Sequence, residues 1–175
     1  QSTLEPIGIL TENIEGHFLN LIIKKEECQS LYDCMEEAGF QVAGTPITLL
    51  NLADDLVSEP ERHSGCVFVD MGSETTSVAV FKNNILRHLA IIPLGGRNIT
   101  RDIAETFSIE ESEAETLKRE YGKAVYNEED YNNLNPTTAK GRPLSQVEFC
   151  GIVEARQEEI LLNVKRQINL SGYDV

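Results

Sequence analysis

The chain has 175 residues, 41% of them hydrophobic and 25% charged, which suits one domain or two small ones with a packed core and excludes general disorder. Its formal net charge of −14 leaves no basic surplus for a nucleic-acid backbone or an anionic lipid surface, so neither is an expected direct partner. The densest apolar stretch, LNLII at 19–23, is far too short to span a bilayer, and no signal peptide is visible.

In chain order, residues 7–10 and 14–24 read as strands, the second alternating and then running apolar. Residues 26–38 read as a helix with Leu31, Cys34, Met35 and Ala38 on one face, acidic Glu26 and Glu27 at its start and Gly39 as its stop. Phe40–Val42 is a short predicted strand, and 48–57 a second helix through Leu49, Leu50, Ala53 and Val57. SEPERHSG at 58–65, with Pro60 and Gly65, is the expected boundary between two parts, 1–62 and 63–175. The texture then turns to strands at 66–71, 76–82 and 85–93, with Asn83-Asn84 as a two-residue hairpin turn. Gly95 and Gly96 bend the sheet segment into a helix over 98–107. Ser108 with Glu111 predicts a capping box for a helix to Tyr121, closed by Gly122. Residues 126–144 read as a loop. Ser145 with Glu148 caps a long last helix whose buried stripe is Phe149, Ile152, Val153, Ile160, Val164 and Ile168, stopped by Gly172.

Little in this pattern carries obvious chemistry. Cys28, Cys34, Cys66 and Cys150 form no CxxC, and no His completes a zinc set, so four reduced cytoplasmic thiols are expected. Arg87 and His88 are neighbours on a strand and so are expected on opposite faces. His88, His17 and His63 have no base-orienting partner in the pattern, and no catalytic residue is assigned. The acidic run at 110–115 reads as a solvated face or a docking surface.

The stretch VFVDMGSETTSVAVF at 67–81 is the exception. Asp70, Gly72 and Thr75 are the residue types, in order, of a turn that cradles phosphate: backbone N–H groups approach the anion, a strand-end Asp holds Mg²⁺ through water, and a hydroxyl adds a donor. A polar hairpin in which Asp70 bonds its own turn explains the same residues, and on this stretch alone it is the favoured reading.

The sequence downstream changes the balance. Leu86-Arg87-His88, Ile92-Pro93, Gly95-Gly96 and Ile99-Thr100-Arg101-Asp102-Ile103-Ala104 follow the turn, then AETLKREYG at 114–122, GRP at 141–143 and VEARQEEIL at 153–161. With these motifs the chain resembles the actin-like ATPases and, within them, the bacterial cell-division family FtsA. The resemblance is strongest over about 65–123 and weakest over the first 60 residues. It implies an α/β fold: an actin-like (ribonuclease H-like) lobe fragment with a mixed sheet, preceded by a small α+β subdomain like the family's 1C, here residues 1–62. The lobe would hold a phosphate hairpin at 66–97 and a helical region at 98–175 with a 2B-like insertion.

The resemblance also implies roles. Asp70, Gly72, Ser73, Glu74 and Thr75 would form the second phosphate turn, with Mg²⁺ near Asp70 through water, while Glu115 and Lys118 would contact the nucleoside. Ser73 and Glu74 stand where the family usually has glycines, and Glu74 brings a carboxylate towards the phosphate position, a repulsion of several kcal/mol unless a metal or a turned-away rotamer relieves it. Read from spacing alone, Glu115 and Lys118 are a surface ion pair. The family's first phosphate turn, its adenosine motif and its membrane-tethering helix have no counterpart here, so an internal piece is expected, without a bound cofactor or ATPase activity of its own and with apolar surface left exposed. The intact parent would bind ATP and Mg²⁺, polymerise through residues 1–62, meet FtsZ through the 98–144 region and recruit later division proteins, on the cytoplasmic face of the membrane at the septum. A small-molecule kinase fragment and a nucleotide-independent interaction module are the alternatives, the latter favoured by Glu74.

Overall fold

A computed structural model describes residues 7–125 and 136–174. The described residues fall into two units that part between Ala43 and Gly44, earlier than the 58–65 segment expected to hold the boundary. The predicted loop lies partly outside them, at 126–135.

In the first unit one helix forms, α1 over Lys25–Glu37, with Glu26 and Glu27 in its first turn. Gly39 ends it at φ +83°: its N–H donates to Glu36 O and that of Phe40 to Met35 O, a Schellman closure that needs the left-handed conformation. The strands predicted at 7–10, 14–24 and 40–42 do not form. A strand exists only through a hydrogen-bonded neighbour, and no described segment pairs with them. Their apolar side chains, among them Leu10, Ile14, Phe18 and Ile22, are exposed, and so is the Leu31–Met35 face of α1.

The second unit is built on an antiparallel sheet in the order β1 (Cys66–Met71), β2 (Thr76–Lys82), β3 (Ile85–Ile92). Every pairing among the described residues is antiparallel, which corrects the mixed sheet expected from the resemblance. Asn83 and Asn84 sit at φ 55° and 60°, the two left-handed positions of a type I′ hairpin. Their N–H groups donate to His63 O and Arg62 O at the end of α3 (Glu59–Ser64). That helix is started by a capping box between Ser58 and Glu61, so the predicted boundary segment is itself helical.

Side-chain alternation gives the sheet two buried faces. Cys66, Phe68, Ala79, Phe81, Leu86 and Leu89 pack with Leu49 and Ala53 of α2 (Thr48–Leu56). Val67, Val69, Val78 and Ile92 pack with Val164 and Ile168 of α6 (Gln146–Ser171). Arg87 is the extra residue of a β-bulge, since Val80 pairs with His88 and Phe81 with Leu86. The bulge breaks the alternation expected of Arg87 and His88. Both reach towards the C-terminal part of the chain, Arg87 over the Tyr173 ring at 5.5 Å and His88 to Gln167 at 3.2 Å.

Beside the sheet lies a helical core: Ile99, Ile103 and Phe107 of α4 (Gly96–Phe107), Ala114 and Leu117 of α5 (Glu111–Tyr121), and Phe149, Cys150 and Val153 of α6. Arg156 spans α6 and α4 with a two-pronged bond to Asp102, at 2.6 and 3.0 Å. Ser145 caps α6 as expected, accepting from Glu148 N, and Gly172 closes it in the left-handed region. Ser108 does not cap α5. It takes φ 51° and ends α4, which leaves Glu110 to start the next helix.

The hairpin offers a direct test. Asn84→Val places a β-branched residue in the left-handed region and is expected to cost about 1–2 kcal/mol, whereas Asn84→Gly holds or raises the thermal midpoint followed by circular dichroism.

Candidate functional site

The phosphate-like turn joins β1 to β2. Asp70 pairs with Ser77 and Met71 with Thr76, and the Gly72 N–H donates to Thr75 O at 2.9 Å. Residues 71–75 are exposed, and the backbone N–H groups of Ser73, Glu74 and Thr75 donate to no described residue. The hairpin alternative required Asp70 to bond its own turn; its exposed carboxylate makes no such bond among the described residues. Three consecutive donors and an unpaired carboxylate are what a phosphate with its cation would meet.

The turn is held from the side of α4. Gly96 N donates to Gly72 O at 3.0 Å and Arg97 N to Ser73 O at 2.8 Å. Asn98, in the same first turn, reaches back to accept from Gly95 N at 2.9 Å. Helix-end donors that would otherwise need water are thus spent on the carbonyls of the turn. Gly95 makes this approach possible. A Cβ there would stand 2.4 Å from Ser73 O and 2.6 Å from Gly72 O, a clash with backbone that no rotamer relieves. Buried Thr76 completes the anchorage by donating to Leu94 O at 2.8 Å.

Glu115 and Lys118 meet the same spot from α5. Lys118 Nζ donates to Gly96 O at 3.0 Å, to Thr100 Oγ1 at 2.9 Å and to Glu115 Oε2 at 2.6 Å. The Thr100 hydroxyl lies 2.5 Å from the same Glu115 oxygen. The lysine side chain is 18% exposed and that of Glu115 42%, so the pair is half-buried, and the bonds to Gly96 and Thr100 make it a clasp on the start of α4 beyond the ion pair that its spacing suggests. The Glu115 carboxyl is held below its ordinary value, first by the Lys118 hydrogen bond and then by that of Thr100.

Glu74 is turned to α4, where Arg97 Nη1 donates to its Oε1 at 2.7 Å. That bond holds the Glu74 carboxyl below the usual range. Arg97 also bonds Glu111, and Glu113 accepts from Ala139 N at 2.6 Å, so the acidic run at 110–115 is engaged within the fold and is not simply a solvated face. Among the described residues no cluster of three or more metal-ligating side chains occurs, and no helix is long and apolar enough to cross a membrane. The structure therefore brings Gly72, Ser73, Glu74, Glu115 and Lys118 into contact with the first turns of α4, with Thr75 in the same turn and Asp70 at the end of β1 beside it. Gly95, Arg97, Asn98 and Thr100 were missed as site residues. Their signal in the sequence was GGRNIT, a glycine pair followed by a residue that can cap from the third helical position.

Two outcomes test this arrangement. Gly95→Ala is expected to push α4 off the turn, seen as a lower unfolding midpoint and as large amide shift changes confined to residues 72–76 and 95–100. Lys118→Met keeps the aliphatic stem but removes the ammonium that bonds Gly96 O, Thr100 and the half-exposed Glu115, and a loss of about 0.5–1.5 kcal/mol at neutral pH is expected in denaturant titration. The depressed Glu115 pKa contributes stability that is full above its unfolded value near 4.5 and is lost as pH falls through the lower folded value, so this variant also shows a flatter acid limb.

Comparison with known proteins gives a family and a fold. The family model "Cell division protein FtsA" matches residues 67–166, which include the turn, α4 and α5. The chain is 33% identical over 172 residues to the cell division protein FtsA of Bacillus subtilis (strain 168), covering 96% of this chain and 39% of the relative. It is 29% identical over 169 residues to that of Porphyromonas gingivalis, covering 94% and 35%. The chain thus spans well under half the length of these curated relatives. Among solved structures, MreB5 of Spiroplasma citri bound to ADP superposes with a TM-score of 0.65 at 16% identity, over 84% of this chain and 48% of that one. The ethanolamine utilization protein EutJ of Carboxydothermus hydrogenoformans superposes at 0.60 with 20% identity, over 87% and 45%. These likenesses give the fold, a partial actin-like domain.

Proposed function

The chain belongs to the FtsA family of cell-division proteins, and on that premise we propose that it supplies one wall of an ATP–Mg²⁺ cleft in a longer actin-like division protein. The observation that carries the proposal is the convergence of Asp70–Thr75 and Glu115–Lys118 on the first turn of α4, since a nucleotide needs its phosphate and nucleoside contacts on one surface. MreB5 of Spiroplasma citri, a structural neighbour, has been solved with ADP and with AMPPNP.

The residues present fit such a ligand. The free N–H groups of Ser73, Glu74 and Thr75 would donate to phosphate oxygens, Asp70 would hold Mg²⁺ through water, and Glu115, held by Lys118, would face the nucleoside with it. Bound Mg²⁺ would neutralise phosphate charge. Among the described residues no group is placed as a general base; hydrolysis would draw on the rest of the longer protein, and this chain alone is expected to be inactive.

The wider role follows from the family. The 1C-like role falls to the first part of the chain, proposed as residues 1–62 although 44–62 belong to the second unit; that part would serve filament contacts and recruitment of later division proteins, and the 2B-like region within 98–144 would meet FtsZ. The protein works at the cytoplasmic face of the septal membrane, with membrane contact made outside this chain and no nucleic acid involved. A nucleotide-independent interaction module is the second reading, which Glu74 favours. The bond to Arg97 weakens that objection by turning the carboxylate aside and neutralising it.

Calorimetric titration of the longer protein with Mg–ATP decides between them. Saturable binding is expected, weakened on the order of tenfold by Asp70→Ala. Absence of binding at millimolar nucleotide would contradict the nucleotide role, and cosedimentation with FtsZ polymers tests the division role separately.

A further inference from the structure

Arg97 stands in the first turn of α4 with its guanidinium between two carboxylates. Nη1 donates to Glu74 Oε1 at 2.7 Å, while Nε and Nη2 donate to Glu111 Oε2 at 3.2 and 3.1 Å. Arg101, one helical turn on, lies 3.7 Å from the other Glu111 oxygen. The array ties the tip of the turn to the start of α5, the helix that also carries Glu115 and Lys118.

We infer that Arg97 is the counter-charge of the turn, the residue that allows a turn bearing a carboxylate to accept a polyphosphate. The inference rests on the reading of residues 70–75 as a phosphate turn and concerns how that turn tolerates Glu74. Glu74 lies between Ser73 and Thr75, whose N–H groups are free, so its charge stands beside the anion's place. With Arg97 and Arg101 set against Glu74 and Glu111 the local sum is zero, and the Glu74 carboxylate is drawn towards α4. A guanidinium suits the task because its planar fork reaches two acids at once, which an ammonium on a flexible stem does less well. Glu111 holds the fork from the far side and keeps it over the turn. Where glycines would solve the approach by leaving space, this chain solves it by cancelling charge.

The test is a charge cycle in the longer protein, read as Mg–ATP affinity by calorimetry, with circular dichroism to verify folding. Arg97→Gln is expected to weaken binding on the order of tenfold, because it uncovers Glu74 beside the phosphates. Glu74→Gln holds or improves affinity, and the double variant returns to within about threefold of wild type, since the two sites interact directly. Arg97→Lys keeps the charge and retains part of the affinity; with the double variant it carries the test if Arg97→Gln does not fold. Unchanged affinity in Arg97→Gln, or a double variant as weak as that single one, overturns the inference while leaving the phosphate-turn reading intact. Failure of the reading itself looks different: wild type does not bind, or Asp70→Ala binds as wild type does, and the role of Arg97 falls with it.

Discussion

The second unit depends on one close approach, that of the α4 N-terminus to the carbonyls of Gly72 and Ser73. Helix ends carry unsatisfied donors, and turns between strands carry unsatisfied acceptors, so joining them answers both needs at once. The contact works only because Gly95 has no side chain: its missing Cβ would occupy the space of Ser73 O. Once α4 is fixed there, the carbonyl of Gly96 faces Lys118, and α5 is clamped by the same short stretch of backbone. The exposed N–H groups of the turn are then the donors left over, presented to solvent by a frame that is satisfied elsewhere.

The sheet and α6 give that frame its rigidity. β2 is central and buried along most of its length, packing Val78 and Val80 to one side and Ala79 and Phe81 to the other. Burial of the valine and phenylalanine side chains contributes roughly 1.5–3 kcal/mol each, more than exposed ion pairs do. α6 touches both cores, with Phe149 and Val153 in the helical one and Val164 against the sheet. The Asp102–Arg156 bond adds a directional tie between α4 and α6 to that packing.

Much of the second unit was legible because its signals are local. Alternation marked β1 to β3, the Asn pair marked the I′ turn, and Ser145 with Gly172 bracketed α6. Where a signal had two meanings, tertiary context chose between them. Ser108 suits an N-cap or a left-handed helix end, and it took the second. An isolated β-bulge leaves no mark in hydrophobic period, so the shared direction of Arg87 and His88 was hidden. The first unit was read least well. An apolar alternating run is only a potential strand, and residues 14–24 lack a pairing partner among the described residues. Of the candidate site, the acids and the lysine were visible by resemblance, but the roles of Arg97 and Thr100 depend on distances across 14 to 23 residues of chain that spacing does not encode.

The proposed phosphate role makes one specific claim: the N–H groups of Ser73, Glu74 and Thr75, which have no partner among the described residues, donate to a phosphate when the nucleotide binds. Amide hydrogen exchange reads those groups directly, since a donor without a partner exchanges fast and a ligand bond slows it. In the longer protein, Mg–ATP is expected to slow exchange at Ser73–Thr75 and to leave the anchored Gly96 and Arg97 amides almost unchanged. Equal exchange at Ser73–Thr75 with and without saturating Mg–ATP would contradict the claim.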